Sequence, residues 1–250
     1  MNGQTLGGLT AGRAWAVYTA AQVREADRVA IEERGVPAEV LMDRAGAAAW
    51  DVISRRCQHT AGPLLVLAGK GNNGGDGLVV ARLAAVAGRR AEVVLLARPE
   101  ELAPAAAAAY QRAVAAGVPV HGWLPAFLAE RLEAAALVVD ALLGTGSSGS
   151  PRGLYAAAIA AANGWRQGAK ARGRRCLVAL DVPSGLDADR GAAAEPTIRA
   201  DLTVTFAGWK LGLLMGPARA YTGELWLAGI GIPDDAYPPA QAWLIAPESV

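Results

Sequence analysis

From Pro63 onward, short runs of consecutive apolar residues alternate with longer Ala-rich stretches, the rhythm of parallel strands covered by helices on both faces. The runs LLVLA at 64–68, AEVVLL at 91–96, ALVVDALL at 136–143, CLVAL at 176–180 and DLTVTF at 201–206 predict strands, with a weaker VPV at 118–120 and a last strand at GELWLAG. Helices are expected at about 75–87, 103–116, 125–134 and 152–163. Upstream, Thr19 is placed to cap a helix that runs to about Glu33, with Val23, Ala26, Asp27 and Ala30 on one face and Gly35 and Pro37 ending it. A second helix from Ala38 to Arg56 carries the stripe Val40, Leu41, Ala45, Ala48, Ala49, Val52 and Ile53. Residues 1–17 lack periodicity and read as a flexible arm, 164–175 reads as a solvated basic loop, and residues 18–250 read as a single α/β domain.

Composition narrows the classes. Of the 250 residues, 53% are hydrophobic and 19% charged, which suits a chain with a large buried sheet and excludes a largely disordered one. The balance of 24 basic and 23 acidic residues leaves +1, so no global field recruits nucleic acid or an anionic membrane, and any anion site must be local. Cys57 and Cys176, far apart in sequence and outside any CxxC spacing, read as two reduced core cysteines, and His59 and His121 lack a metal-binding spacing. The start of the chain does not read as a secretory signal, and Asp, Arg, Gly or Pro interrupts every apolar run before the roughly 18 residues of a membrane span. A cytoplasmic location is the default expectation.

The segment LLVLAGKGNNGGDGLVVARLAA sets Gly69, Lys70, Gly71, Asn72, Asn73, Gly74, Gly75, Asp76 and Gly77 between a strand and a helix. Glycines let backbone N–H groups approach a phosphate, and a helix N-terminus offers unsatisfied donors and a favourable dipole. Gly69, Gly71 and Gly74 satisfy GxGxxG formally, but the acidic residue that holds a ribose at the end of the next strand has a poor match: Glu92 sits at that strand's start and Arg98 near its end. Asn72, Asn73 and Asp76 carry more oxygen than a diphosphate turn needs, which points to polar recognition or to a cation.

Ligands of parallel sheets collect beyond the carboxyl ends of strands. Asp140 stands inside or at the end of one apolar run, followed by a flexible loop from Gly144 to Pro151, and Asp181 ends another, followed by Pro183, Ser184 and Gly185. A carboxylate in a buried strand needs hydrogen bonds, a partner or a metal. Both acids therefore either anchor neighbouring backbone or serve a site, and Asp140, Asn73 and Ser184 together offer hard oxygen ligands. No GxSxG elbow surrounds Ser184. Lys70, Arg98 and Lys210 are candidate phosphate partners, and Trp209 either stacks on a base or fills the core.

Taken in order, GKGNNGGDG, VVDALLGTG, LDVPSGLDADRG and ADLTVTFAGWKLG resemble the NAD(P)H-hydrate epimerase family, the YjeF N-terminal domain, and the likeness extends from YTAAQVREADRVAIEERG to YTGELWLAGIGIP. The resemblance implies a Rossmann-like three-layer αβα sandwich with a mostly parallel sheet, and an isomerase that interconverts the R and S epimers of hydrated NADH or NADPH with a bound K+. It implies substrate contacts at Asn72, Asn73, Gly74, Gly75, Asp76, Gly144, Thr145, Gly146, Ser147, Ser148, Gly149, Ser150 and Asp181. It places the potassium ligands at Asn73, Asp140 and Ser184 and an active-site lysine at Lys210, and the carbinolamine at C6 of such a substrate makes Asp181 the candidate general acid–base. A homodimer and coupling to an ADP- or ATP-dependent dehydratase fit the same family, and the chain reaches Val250 without a dehydratase domain of its own, stand-alone or truncated. The competing readings are a non-catalytic nucleotide sensor or scaffold of this fold and, third, an NAD(P)-dependent oxidoreductase.

Overall fold

The computed structural model describes residues 4–5, 14–147, 149–168 and 175–245. The strands are β1 (Gln4–Thr5), β2 (Ala14–Tyr18), β3 (Leu64–Ala68), β4 (Ala91–Leu95), β5 (Val120–Gly122), β6 (Leu137–Ala141), β7 (Cys176–Leu180), β8 (Leu202–Phe206), β9 (Trp209–Lys210), β10 (Glu224–Ala228) and β11 (Ala242–Ile245). The α-helices are α1 (Ala20–Arg28), α2 (Ala38–Arg56), α3 (Asn72–Val86), α4 (Pro104–Ala115), α5 (Pro125–Ala134), α6 (Gly153–Gly168), α7 (Leu211–Leu214) and α8 (Arg219–Thr222).

The main sheet has the order β1-β10-β8-β7-β6-β3-β4-β5, parallel throughout except for the short antiparallel edge β1. Its central strands are buried on both sides, and the period of two shares out their side chains. Leu64, Val66 and Ala68 meet α2, α3 and α4 in one layer, while Leu65 and Leu67 meet α5 and α6 in the other. The layered α/β arrangement is the one the apolar rhythm predicts. Strand order reverses between β3 and β6: the chain runs outward through β4 and β5, then restarts on the other side of β3. The loops after β3 and β6 part there and open the crevice in which such sheets hold ligands.

Thr19 caps α1 as expected, through a capping box with Gln22. Other expectations change. Regular structure begins before Thr19, because Ala14–Tyr18 pairs with Ala242–Ile245 and with Trp209–Lys210 in a separate three-stranded sheet. Residues 1–3 and 6–13 of the expected arm lie outside the described residues. Local composition hides these strands because their partners are more than 180 residues away. The basic segment 164–175 is helical at its start: α6 continues to Gly168 because Trp165 is buried against the sheet and Arg166 pairs with Asp201, and 169–174 lie outside the described residues. Among the described residues no helix is long and apolar enough to cross a membrane.

Candidate active site

The glycine segment is less of a loop than its composition implies. Gly71 caps α3, so Asn72 to Asp76 form the first turn of that helix. Its glycines are demanded by close packing: a Cβ on Gly74 would stand 1.9 Å from the Gly69 carbonyl oxygen, and one on Gly69 would stand 2.0 Å from that of Leu142. Gly74 and Gly75 are therefore inside the helix packing and do not line the crevice. Asn72, Asn73 and Asp76 do, with Lys70 and Gly71 beside them.

A cavity of about 480 Å³ fills the switch point. Its second wall is the loop after β6, where Leu142 to Ser147 line it. Gly149 and Ser150 are exposed and lie outside that lining, and Ser148 falls outside the described residues. α1 and α2 close the third side with Arg24, Asp27, Leu41, Met42 and Ala45, and Arg24 Nη1 donates to the Thr145 carbonyl at 2.7 Å, tying α1 to the loop.

Asp181 follows the last residue of β7 and takes φ 62°, an unusual conformation for a residue with a Cβ. Its N–H donates to Val204 O at 2.8 Å, which fixes the turn. The side chain reaches the cavity, where it accepts from the Thr145 N–H at 3.1 Å and from Lys210 Nζ at 2.6 Å. A side chain at position 144 would crowd this carboxylate, since a Cβ there would lie 3.1 Å from Asp181 Oδ2. Lys210 is 1% exposed and spends its other two protons on Thr205 Oγ1 at 2.9 Å and Phe206 O at 2.6 Å. The lysine is thus no free phosphate ligand but the holder of Asp181. Trp209 is 1% exposed and belongs to the core under the small sheet, so base stacking is not its role. Arg98 pairs with Glu101 on the surface and does not line the cavity.

Asp140 and Ser184 lie beneath the cavity. Asp140 is fully buried, and its oxygens accept from Ser184 N (2.8 Å), Ser184 Oγ (2.7 Å) and Leu142 N (3.2 Å). Burial pushes its carboxyl up to about 6 against those three donors. Ser184 Oγ also accepts from Leu143 N at 2.9 Å, and the Leu143 carbonyl accepts from Asn73 Nδ2 at 3.0 Å. Asn73, Ser184 and Asp140 are thereby connected through Leu143. Asn73 Oδ1 is buried with no hydrogen-bond partner, an orphaned acceptor that a cation would satisfy. The described residues contain no group of three His, Cys, Asp or Glu set for a metal, so a cation at this place would rest on mixed amide, hydroxyl and carboxylate oxygens.

In the sequence Asp27 only shares a helix face with Val23, Ala26 and Ala30, and the structure turns Val23 and Asp27 into the cavity. The available signal was a carboxylate among Val23, Ala26 and Ala30. Burial holds the Asp27 carboxyl up at about 6, with Lys210 opposing and Asp181 adding to the shift. Asp76, 8% exposed and without a hydrogen-bond partner among the described residues, is raised well above the usual carboxylate range, first by burial and then by Asp181 and Asp27. One cavity therefore holds a carboxylate fixed by an ammonium, Asp181, and two acids whose surroundings favour the proton, the kind of pairing that separates acid from base.

A raised carboxyl stabilises the fold below its ordinary value, and that stability is lost as pH climbs through the folded value. Wild-type protein is expected to lose up to about 3 kcal/mol relative to Asp27→Asn between pH 4 and 7, from a shift of about two pKa units. Urea melts of both proteins at the two pH values check this, and a constant gap would show that Asp27 titrates normally.

The family model described as "YjeF-related protein N-terminus" matches residues 38–212. The chain is 39% identical over 215 residues to a protein of Rhodopirellula baltica named NAD(P)H-hydrate epimerase, covering 86% of this chain and 84% of that one. It is 41% identical over 230 residues to the bifunctional NAD(P)H-hydrate repair enzyme Nnr of Moorella thermoacetica, covering 87% of this chain but 41% of the longer relative. The crystal structure of the yeast protein YNL200c superposes with a TM-score of 0.74 at 23% identity, covering 88% of this chain and 91% of that one, a likeness of fold.

Proposed function

The chain belongs to the family of YjeF-related protein N-termini, and from that premise we propose that it is an NAD(P)H-hydrate epimerase, an isomerase acting on the R and S forms of hydrated NADH and NADPH. The observation that carries the proposal is Asp181: a carboxylate in strained backbone at a strand's carboxyl end, held by buried Lys210 and aimed into the switch-point cavity.

The hydrated nicotinamide ring has a hydroxyl on C6 next to N1. Loss of that hydroxyl as water leaves an iminium-like carbon, and water returning on either face gives either epimer without redox chemistry. Protonation of the departing hydroxyl and deprotonation of the returning water are the proton transfers to be catalysed. Asp181, held in place by Lys210 Nζ and the Thr145 N–H, accepts the proton of the incoming water. Asp76, with Asp27 behind it, supplies the proton to the leaving hydroxyl, and the roles reverse in the other direction. The N-terminus of α3 and the Gly144–Ser147 loop line the space for the substrate diphosphate, and holding the ring between the acids supplies orientation.

Asn73, Asp140 and Ser184 would hold a potassium ion, whose positive charge supports the anionic substrate and the two loops. Asn73→Ala removes the orphaned oxygen together with the bond to Leu143, and is expected to raise the potassium concentration needed for half-maximal rate at least about tenfold. A potassium titration of both proteins checks this, and an activity indifferent to potassium in the wild type would remove the ion. The same reading includes a homodimer, a cytoplasmic location and functional coupling to an ADP- or ATP-dependent dehydratase that consumes one epimer.

The test of the function is direct. Separated R-hydrated NADPH is incubated with the protein in potassium buffer, and both epimers are followed by chromatography against a protein-free control. Acceleration to one R/S ratio from either epimer is expected; tight binding without acceleration would instead identify a sensor or scaffold.

A further inference from the structure

Cys57 and Cys176 are 119 positions apart in sequence, yet the fold sets the C-terminal end of α2 on the first residue of β7 and brings their sulfurs to 2.9 Å. The separation in sequence that argued against a pairing is cancelled by the crossover topology. Both are free thiols, 1% and 5% exposed, in the core layer under α2, α3 and α4. Nothing in the chemistry of the cavity uses them.

The geometry is close to that of a bond. A disulfide is about 2.05 Å long, so the sulfurs need to approach by less than about 1 Å. The backbone at each end is already held in place, Cys57 N to Ile53 O at 2.8 Å and Cys176 N to Ala136 O at 3.2 Å. Closing the gap by side-chain rotation would leave both elements in place.

The surroundings also divide the roles. The hydrogen bond between the thiols draws the Cys57 thiol down, with Arg89 and Arg56 adding to the effect, while the same bond and burial push Cys176 up. Arg89 is anchored to the carbonyls of Thr60 and Gly62 in the turn that follows Cys57. Gln58, His59, Ala61 and Gly62 of that turn are exposed while both cysteines beneath it are buried, so a reagent reaches the thiols through local opening at this turn.

We infer that Cys57 and Cys176 form a covalent cross-linking site, a dithiol that low-molecular-weight disulfides convert to an intramolecular disulfide joining α2 to β7. The Cys57 thiolate attacks one sulfur of the reagent, forming a mixed disulfide and releasing one small thiol. Cys176 then gives up its proton, attacks the Cys57 sulfur and displaces the second small thiol. Two protein thiols lose two electrons and two protons, and the reagent is reduced to two thiols.

The bond would close a loop that contains everything from β3 to α6, which includes the switch point. Long loops restrict the unfolded chain most. Cys176 opens the five-residue strand whose far end leads into Asp181, about 16 Å away at 3.3 Å per residue. The cross-link therefore acts on stability and leaves the cavity as it is.

The full-length protein, first reduced and freed of reductant, is incubated under native conditions with oxidised glutathione. Thiols are then titrated in denaturant, the intact mass is measured, and melting temperatures are recorded with and without dithiothreitol. Expected are the loss of both thiols, a mass lower by two hydrogens, no retained glutathione, and a melting temperature about 5–15 °C higher that dithiothreitol reverses. Cys57→Ala and Cys176→Ala, each of which keeps one thiol, should show no such shift. Two titratable thiols after exposure, a stable glutathione adduct on the wild type, or a cross-linked form that melts no higher than the reduced one would overturn the inference.

Discussion

Asp181→Asn is expected to fold and to epimerise hydrated NAD(P)H about 10²–10⁴-fold more slowly, the usual range for loss of a positioned acid–base group. Asparagine keeps an oxygen for Lys210 Nζ, which now stands 2.6 Å from Asp181 Oδ1, and the unusual backbone at φ 62° is one that asparagine tolerates well. The packing around Gly144 is unchanged in volume. What disappears is the ability to take a proton, so the loss belongs in kcat more than in KM. Chromatographic rates at saturating substrate, with circular dichroism as the control for folding, decide it; a folded variant at the wild-type rate would falsify the assignment.

Lys210→Met is expected to destabilise the fold by about 3–5 kcal/mol and to lower activity with it. Lys210 is 1% exposed, and its ammonium serves three acceptors: Asp181 Oδ1, Thr205 Oγ1 and Phe206 O. Methionine fills the space of the stem but leaves a carboxylate uncompensated and takes the Lys210 donor from Thr205 Oγ1, while Phe206 O keeps the Gly208 N–H at 2.7 Å. Removing one member of a buried ion pair costs about this much because the other charge stays behind. Guanidinium melts give the magnitude. The double variant Lys210→Met with Asp181→Asn should recover part of the loss, since the stranded charge is gone, and a strictly additive double variant would show that the two side chains do not act as a pair.

These two residues also show how far the linear chain can be read. The apolar runs at 64–68 and 176–180 coincide with β3 and β7, since a strand buried on both faces leaves an uninterrupted apolar signature. Asp181 was legible because it ends such a run, and Asp140 and Ser184 because a polar group there must be satisfied. Lys210 was legible as a site residue but not in its role, because sequence shows a cation and not the three acceptors that enclose it. The segment Asn72–Asp76 read as a loop because its glycines disfavour helix; the structure makes it helical because only glycine admits the approach to Gly69 and Met42.

The sequence by itself determined the layered α/β fold, the strand ends where chemistry could sit, and a likeness to one family strong enough to name a reaction. Tertiary structure alone decided what lies across the cavity from Asp181: Asp27, from a helix more than 150 residues earlier, raised by burial that no local pattern reveals. It likewise decided that Cys57 meets Cys176 and that Ala14–Tyr18 is a strand. The physical reason is common to all three. Periodicity reports which face of an element is apolar, whereas pairing, desolvation and charge coupling depend on partners that only the crossover connections of the sheet bring together.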